Sequence, residues 1–158
     1  MSLTLSVFFE PSAKMKDAKD LVNTINAKIS GMAEYDEEVG SCDINCYWPC
    51  YIIYPSFYSY FTYAEMSFQA YWNDVLNGIE LRQLIKTVCE TLGANEWWYI
   101  EETSMDFIYD LSKNEFEELI LKAPDIENFE TPTNFPASKN HFFHDSSQQV
   151  ASYQTITQ

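Results

Sequence analysis

Residues 46–68 read Cys46-Tyr-Trp-Pro-Cys-Tyr-Ile-Ile-Tyr54, then Pro55-Ser56, then Phe57-Tyr-Ser-Tyr-Phe-Thr-Tyr-Ala-Glu-Met-Ser-Phe68, and how this stretch folds decides the architecture. Both runs are rich in Tyr, Phe and Ile, side chains that suit a pleated, half-buried surface. Pro55-Ser56 reads as punctuation between them. Two strands in the middle of an antiparallel sheet are expected. A competing reading makes Tyr63 to Leu76 a helix, since Tyr63, Met66, Ala70 and Tyr71 also fit a helical stripe, and periodicity alone does not separate the two. The wider window from Ile44 to Ala64 carries no charge, so its length alone fits a membrane span. Its composition rejects that reading: Asn45, Pro49, Pro55, Ser56, Ser59 and six tyrosines, with no Leu, would strand hydroxyls and broken backbone bonds in hydrocarbon.

Outward from this window the elements are plainer. Leu3 to Phe9 reads as a strand ended by Glu10-Pro11. Ser12 is the expected N-cap of a helix whose apolar residues Met15, Ala18, Leu21, Val22, Ile25 and Ile29 recur at spacings of three and four, with Gly31 to end it. Residues 32–43 are acidic and turn-like, fitting a loop or hairpin tip. Asn77-Gly-Ile-Glu80 resembles a capping box, opening a helix with Leu81, Leu84, Ile85, Val88 and Leu92 on one face that closes at Gly93. Glu96 to Glu102 is an aromatic strand, and Ser112-Lys-Asn-Glu115 is a second capping box for a helix that stops before Pro124. The order β-α-β-β-α-β-α predicts an α+β two-layer sandwich, an antiparallel sheet with helices packed mainly on one face. Residues 1–123 form the single domain of this reading. Residues 124–158, rich in Pro, Asn, Ser and Gln, form an irregular polar tail that docks aromatics on it.

The chain has 158 residues, 46% of them apolar, and a formal net charge of −15. That supports one domain with a real core. The charge excludes nucleic acid and anionic membrane as direct ligands. The N-terminus lacks a basic region before its short apolar run and does not read as a signal peptide. Four cysteines are too sparse for a disulfide scaffold, so reduced thiols in a cytoplasmic setting are expected.

Residues able to carry chemistry are few. Cys42, Cys46 and Cys50 share a face on a strand, but the outer pair then sits about 26 Å apart at roughly 3.3 Å per residue, too far for one metal. On a helix, Pro49 breaks the geometry. Small buried hydrophobes are the plainer reading. His141 and His144 form the only histidine pair, placed in the polar tail, where a surface or docking role is expected. Glu96 and Glu101 flank Trp97-Trp98 but point to opposite faces of an extended strand. Glycines at 31, 40, 78 and 93 allow no phosphate loop. No catalytic residue, metal or cofactor is assigned.

What remains is surface. Between Lys28 and Arg82 there is no basic residue, while Lys14, Lys16, Lys19 and Lys28 concentrate positive charge on the first helix. Rigid amphipathic aromatics beside carboxylates are what recognition of a basic protein requires. The reading is a non-enzymatic cytoplasmic binding protein that engages a basic protein partner, an immunity-type inhibitor in its concrete form. Its anchors are Tyr54, Tyr58, Tyr60 and Trp98, with Glu34, Asp36, Glu37 and Glu38 steering. The alternatives are a small-ligand-binding or hydrolytic domain with an aromatic pocket, and a structural subunit of a larger assembly.

Overall fold

The computed structural model describes residues 2–12, 16–44, 51–60, 63–71, 78–101, 108, 110–126 and 142–151. Seven strands form one antiparallel sheet in the order β2-β3-β4-β5-β1-β6-β7, with β1 Ser2–Phe9, β2 Ala33–Asp36, β3 Ser41–Ile44, β4 Tyr51–Tyr60, β5 Tyr63–Tyr71, β6 Glu96–Glu101 and β7 Phe143–Ser146. Helices α1 (Ala18–Lys28), α2 (Gly78–Thr91) and α3 (Lys113–Lys122) complete the α+β fold.

Strand alternation divides the apolar residues into two cores. Val7, Phe9, Ile53, Met66, Trp97 and Tyr99 meet Leu21, Val22 and Ile25 of α1 and Leu84, Ile85 and Val88 of α2 on one face. Helices α1 and α2 thus cover the expected face. On the other face, Phe8, Trp98 and Ile100 meet Phe116 and Ile120 of α3. There Phe8, Phe116 and Phe142 form a triangle of edge-on rings with centroids 5.5–5.7 Å apart, an arrangement favoured by the ring quadrupoles.

Several sequence expectations change in detail. Residues Tyr63–Tyr71 are strand, not helix, and β4 runs straight through Pro55 and Ser56 with a register shift between Ser56 and Tyr60. Pro55 is tolerated because β3 pairs only with Tyr51–Ile53 of β4, so beyond Ile53 one edge of β4 has left that ladder. Helix α1 begins later than Ser12: Asp17 is its N-cap, accepting from the Asp20 N–H at 3.0 Å. Ser12 instead joins the end of α2, where its N–H donates to Leu92 C=O at 3.0 Å. Gly93 is required beside it, because φ is +81° and any Cβ there would collide with the Ser12 hydroxyl. The acidic stretch is the β2–β3 hairpin, turning at Gly40 with φ +68°. The capping box at Ser112 and Glu115 forms as expected. The cap at Asn77 lies outside the described residues.

The described residues of the expected tail, 124–126 and 142–151, take a more regular form than expected. Phe142 and Phe143 are buried, and Phe143–Ser146 pairs with β6 as the last strand. His144 also bridges to Asp125, and its N–H donates to Pro124 C=O at 2.8 Å. A short helical turn over residues 147–151 follows, tied back where Ser147 N–H donates to Asn95 C=O at 2.9 Å.

Candidate functional site

Strands β6 and β7 place Trp97, Tyr99 and Asp145 on the inner face and Glu96, Trp98 and His144 on the outer one. The inner face carries a buried polar network. The Arg82 guanidinium on α2 donates through Nε and Nη2 to the two Asp145 oxygens, each at 2.8 Å. The Tyr99 hydroxyl donates to Asp145 Oδ2 at 2.6 Å and accepts from Trp97 Nε1 at 2.7 Å. The Ser146 N–H donates to Asp145 Oδ1 at 2.8 Å. Arg82 is 1% exposed and Asp145 fully buried, so this charge pair is satisfied without water. Burial, the adjacent Asp145 charge and donation to it hold the Tyr99 phenol well above its usual range. Burial, then the charges of Asp145 and Glu90, do the same for the Cys89 thiol.

On the outer face the same strands build an open recess of about 410 Å³ lined by Tyr63, Trp98, Leu121, Asp125, Glu96 and His144, among others. A second recess of about 290 Å³, bounded by Glu10, Gly93 and Asn95, shares Glu96 and Trp98 with it. Together they form a groove across the start of β6. Trp98, only 6% exposed, is its floor. Tyr63 stands edge-on to Trp98 at 5.6 Å and 88°, and the His144 ring lies 5.4 Å from it. His144 Nδ1 is 2.7 Å from Asp125 Oδ1 and Nε2 is 3.2 Å from Glu96 Oε2. Gln149, from the last helical turn, donates through Nε2 to Asp125 Oδ1 at 3.4 Å. Burial, followed by the charge of Glu10 and the hydrogen bond to it, raises the Tyr63 pKa, with Glu117 and Glu96 adding to the effect. The groove lining thus contributes the carboxylates Glu10, Glu96 and Asp125, with no Lys or Arg among its described residues.

The residues singled out from sequence are not gathered in one place. Glu34 and Asp36 lie on β2, with Glu37 and Glu38 exposed in the turn after it, at the opposite end of the sheet from Trp98. The five interstrand steps from β2 to β6 amount to roughly 24 Å at about 4.8 Å each. Asp36 also has a local task, since its Oδ1 accepts from Glu38 N–H at 3.0 Å and so shapes the turn. Tyr54 pairs with Ser67 and Tyr60 with Tyr63 across β4 and β5, and Tyr58 lies within the register shift between them. Their side chains are outside the described residues. Trp98 is a covered floor rather than a projecting anchor. The sequence alone does not single out Glu10, Tyr63 or Asp125, and it favours a surface or docking role for His144 over metal ligation; what could have pointed to the groove is the alternation of Trp97-Trp98 and His144-Asp145, two adjacent pairs each split between faces.

Cys42 and Cys89 are buried free thiols, and burial together with Asp43 pushes Cys42 up to about 12. Cys46, Cys50 and His141 lie outside the described residues. Among the described residues no group of three or more His, Cys, Asp or Glu is arranged to hold a metal ion, and no helix is long and apolar enough to cross a membrane. No protein-family model, curated protein or solved structure matches this chain.

Proposed function

We propose that this chain is a non-enzymatic binding protein that engages a basic protein partner through an acidic, aromatic surface centred on the β6–β7 groove. One observation carries the reading: Glu10, Glu96 and Asp125 face a common groove floored by Trp98 and walled by Tyr63, without a lysine or arginine among the described residues of its lining. Leu121, 88% exposed on the rim, adds an apolar contact. Such a surface offers a partner's arginine or lysine a carboxylate for its charge and an apolar wall for its stem. Glu34, Asp36, Glu37 and Glu38 act at longer range as steering charges, and Tyr54, Tyr58 and Tyr60 lie on β4 between the two regions. A cytoplasmic, reducing setting suits the free thiols of Cys42 and Cys89. Inhibition of a basic enzyme, as an immunity protein does, is the form of binding this charge suits best.

Capture of partners from native lysate, followed by association kinetics over a salt series, tests the proposal. Replacing Glu10 and Glu96 with Gln should slow dissociation-independent encounter and weaken binding. Neutralising the hairpin acids should lower the on-rate at low salt only, because roughly 8 Å of screening at physiological ionic strength isolates them from the groove. Absence of any basic partner, or indifference of binding to both sets of substitutions, defeats the reading.

One observation favours a hydrolytic or ligand-binding domain instead: Asp125 holds the His144 imidazole at 2.7 Å in the manner of an oriented general base. The other ring nitrogen is engaged by Glu96, and Glu96 and Asp125 are 59% and 48% exposed. These carboxylates are solvated rather than enclosed, which is why the binding reading is preferred.

A further inference from the structure

The His144 ring holds its place in the groove through two carboxylates and an indole. Nδ1 is 2.7 Å from Asp125 Oδ1, Nε2 is 3.2 Å from Glu96 Oε2, and the ring centroid lies 5.4 Å from that of Trp98, within cation–π reach. Either neutral tautomer turns a lone pair toward one of the carboxylates, so both contacts are hydrogen bonds only when the ring carries two protons. His144 thus fills this place as a planar cation with diverging N–H groups. One neighbouring group gains nothing from it. Ser146 Oγ caps the last helical turn by accepting from the Gln149 N–H at 3.1 Å. This sets the Gln149 carboxamide, 8% exposed, against the same two residues: Nε2 donates to Asp125 Oδ1 at 3.4 Å and stands 3.3 Å from His144 Nδ1. Gln149 Oε1 is buried without a hydrogen-bond partner, the one such side-chain atom among the described residues. A buried acceptor left unmatched calls for an occupant. An imidazolium spends both N–H groups on the carboxylates, whereas a guanidinium has five in one plane and keeps some for the carboxamide. A half-turn about the last Gln149 side-chain bond presents Oε1 where Nε2 now stands, and the ligand's own donor replaces the long bond to Asp125.

Given the binding role proposed above, on which this rests, we propose that the place held by the His144 ring is a subsite for an arginine side chain of the partner, and that protonated His144 is the resident cation this guanidinium displaces. A lysine ammonium donates from one nitrogen, whereas Asp125 and Glu96 are met here by two. Loss of a ring proton breaks one of the two contacts, so the competitor weakens and the guanidinium binds more tightly as pH rises. The groups facing the ring are Glu96 from β6, Asp125 from the segment after α3, the Gln149 carboxamide, and Trp98 with Tyr63 of β5 edge-on to it. The Tyr63 phenol is held in its neutral form to higher pH by burial, then by Glu10, Glu117 of α3 and Glu96. Lys122, beside the groove on α3, is engaged by Glu118 at 2.6 Å.

Ethylguanidinium and ethylammonium, the ends of the arginine and lysine side chains, are the probes. Each is titrated into the full chain at constant ionic strength between about pH 5 and 8, where histidine is the side chain that ordinarily changes charge. NMR of the His144 ring and Trp98 indole protons reads binding and ring protonation together, and circular dichroism identifies the variants that keep the fold. Ethylguanidinium should bind the wild type more tightly as His144 loses its proton, by up to about tenfold per pH unit for one proton displaced, and should move the ring's own titration to lower pH. His144→Ala, or His144→Asn if the alanine variant does not fold, should bind it without that pH dependence. Folded Gln149→Met should bind it about fivefold more weakly, and ethylammonium should bind the wild type more weakly than ethylguanidinium at every pH. Affinity flat with pH in the wild type, an undiminished pH dependence in the folded His144 variant, no loss in Gln149→Met, equal binding of the two probes, or no binding of ethylguanidinium to wild type and His144 variant alike overturns the proposal. A basic partner whose binding depends on Glu10 and Glu96 would survive each of these results, and the expected probe behaviour would survive the absence of such a partner, so the two readings fail separately.

Discussion

Adjacent residues His144 and Asp145 illustrate how one pair of strands serves two purposes. Asp145 turns inward to a dry network in which each carboxylate oxygen accepts two hydrogen bonds, from Arg82 and Tyr99 on one side and from Arg82 and Ser146 on the other. His144 turns outward to carboxylates half in water, on a tryptophan floor. Both sites rest on an acid–base pair, and burial separates their consequences. Inside, breaking the pair strands a charge without solvent; outside, water replaces whatever is removed. The inner face therefore holds β7 in place, and the outer face keeps its carboxylates in contact with solvent.

The comparison predicts a steep gradient of mutational cost. Asp145→Asn removes the carboxylate that takes both hydrogen bonds of the buried Arg82 fork and should cost about 3–5 kcal/mol in denaturant unfolding. Replacing both members with apolar residues, Arg82→Met with Asp145→Leu, should cost markedly less than that single change. A double variant no more stable than Asp145→Asn would mean that the ion pair is not the origin of the cost. Tyr99→Phe deprives Trp97 Nε1 of its acceptor and Asp145 of a donor, for about 1–3 kcal/mol by the same measurement. On the outer face, His144→Ala should change stability by no more than about 1 kcal/mol. Its clearer effect should be on binding, since it frees Glu96 and Asp125 for a cationic partner. Equal stability losses from the inner and outer substitutions would erase the distinction.

Alkaline titration sharpens it further. Tyr99 and Cys42 both keep their protons to higher pH in the folded chain than when unfolded. The unfolded chain therefore loses protons first, and stability falls as pH rises. For Cys42 the loss starts near its ordinary 9.0 and runs to about 12. Thermal melts should show falling stability over this range, with the decline reduced in a Cys42→Ala variant relative to its own neutral-pH melt. Alkylation near pH 8 should leave both Cys42 and Cys89 unmodified until the chain unfolds, as read by mass spectrometry.

Local chemistry made much of this fold legible in the sequence. The apolar spacing of Leu21, Val22 and Ile25, the reciprocal caps at Ser112 and Glu115, and the alternation around Phe8 and Trp98 act within a few residues of themselves. Pro55 reads as a strand break in the sequence because a proline's effect on a strand depends on where the neighbouring strand ends, and β3 reaches no further along β4 than the Cys42–Ile53 pair. Strand β7 was hidden for a related reason. Phe143-His-Asp-Ser146 has a polar character that fits a tail, and Asp145 becomes a core residue only through Arg82. The groove was less legible still, because Glu10, Tyr63, Glu96, Asp125 and His144 come from five separate segments. The acidic hairpin was conspicuous as a run, but the sheet order sets it at the far end from Trp98.

The ion pair between Arg82 and Asp145 spans 63 residues, and that separation has a consequence for biosynthesis. At about 5–20 residues per second, a ribosome needs roughly 3–13 seconds to travel from one codon to the other. Throughout that interval the guanidinium lacks the Asp145 carboxylate that it meets in the interior, so α2 cannot settle in its final seat against β6. Nascent chains arrested before residue 145 should accordingly keep the α2 amides open to hydrogen exchange, and protection should arrive in one step once the aspartate clears the exit tunnel.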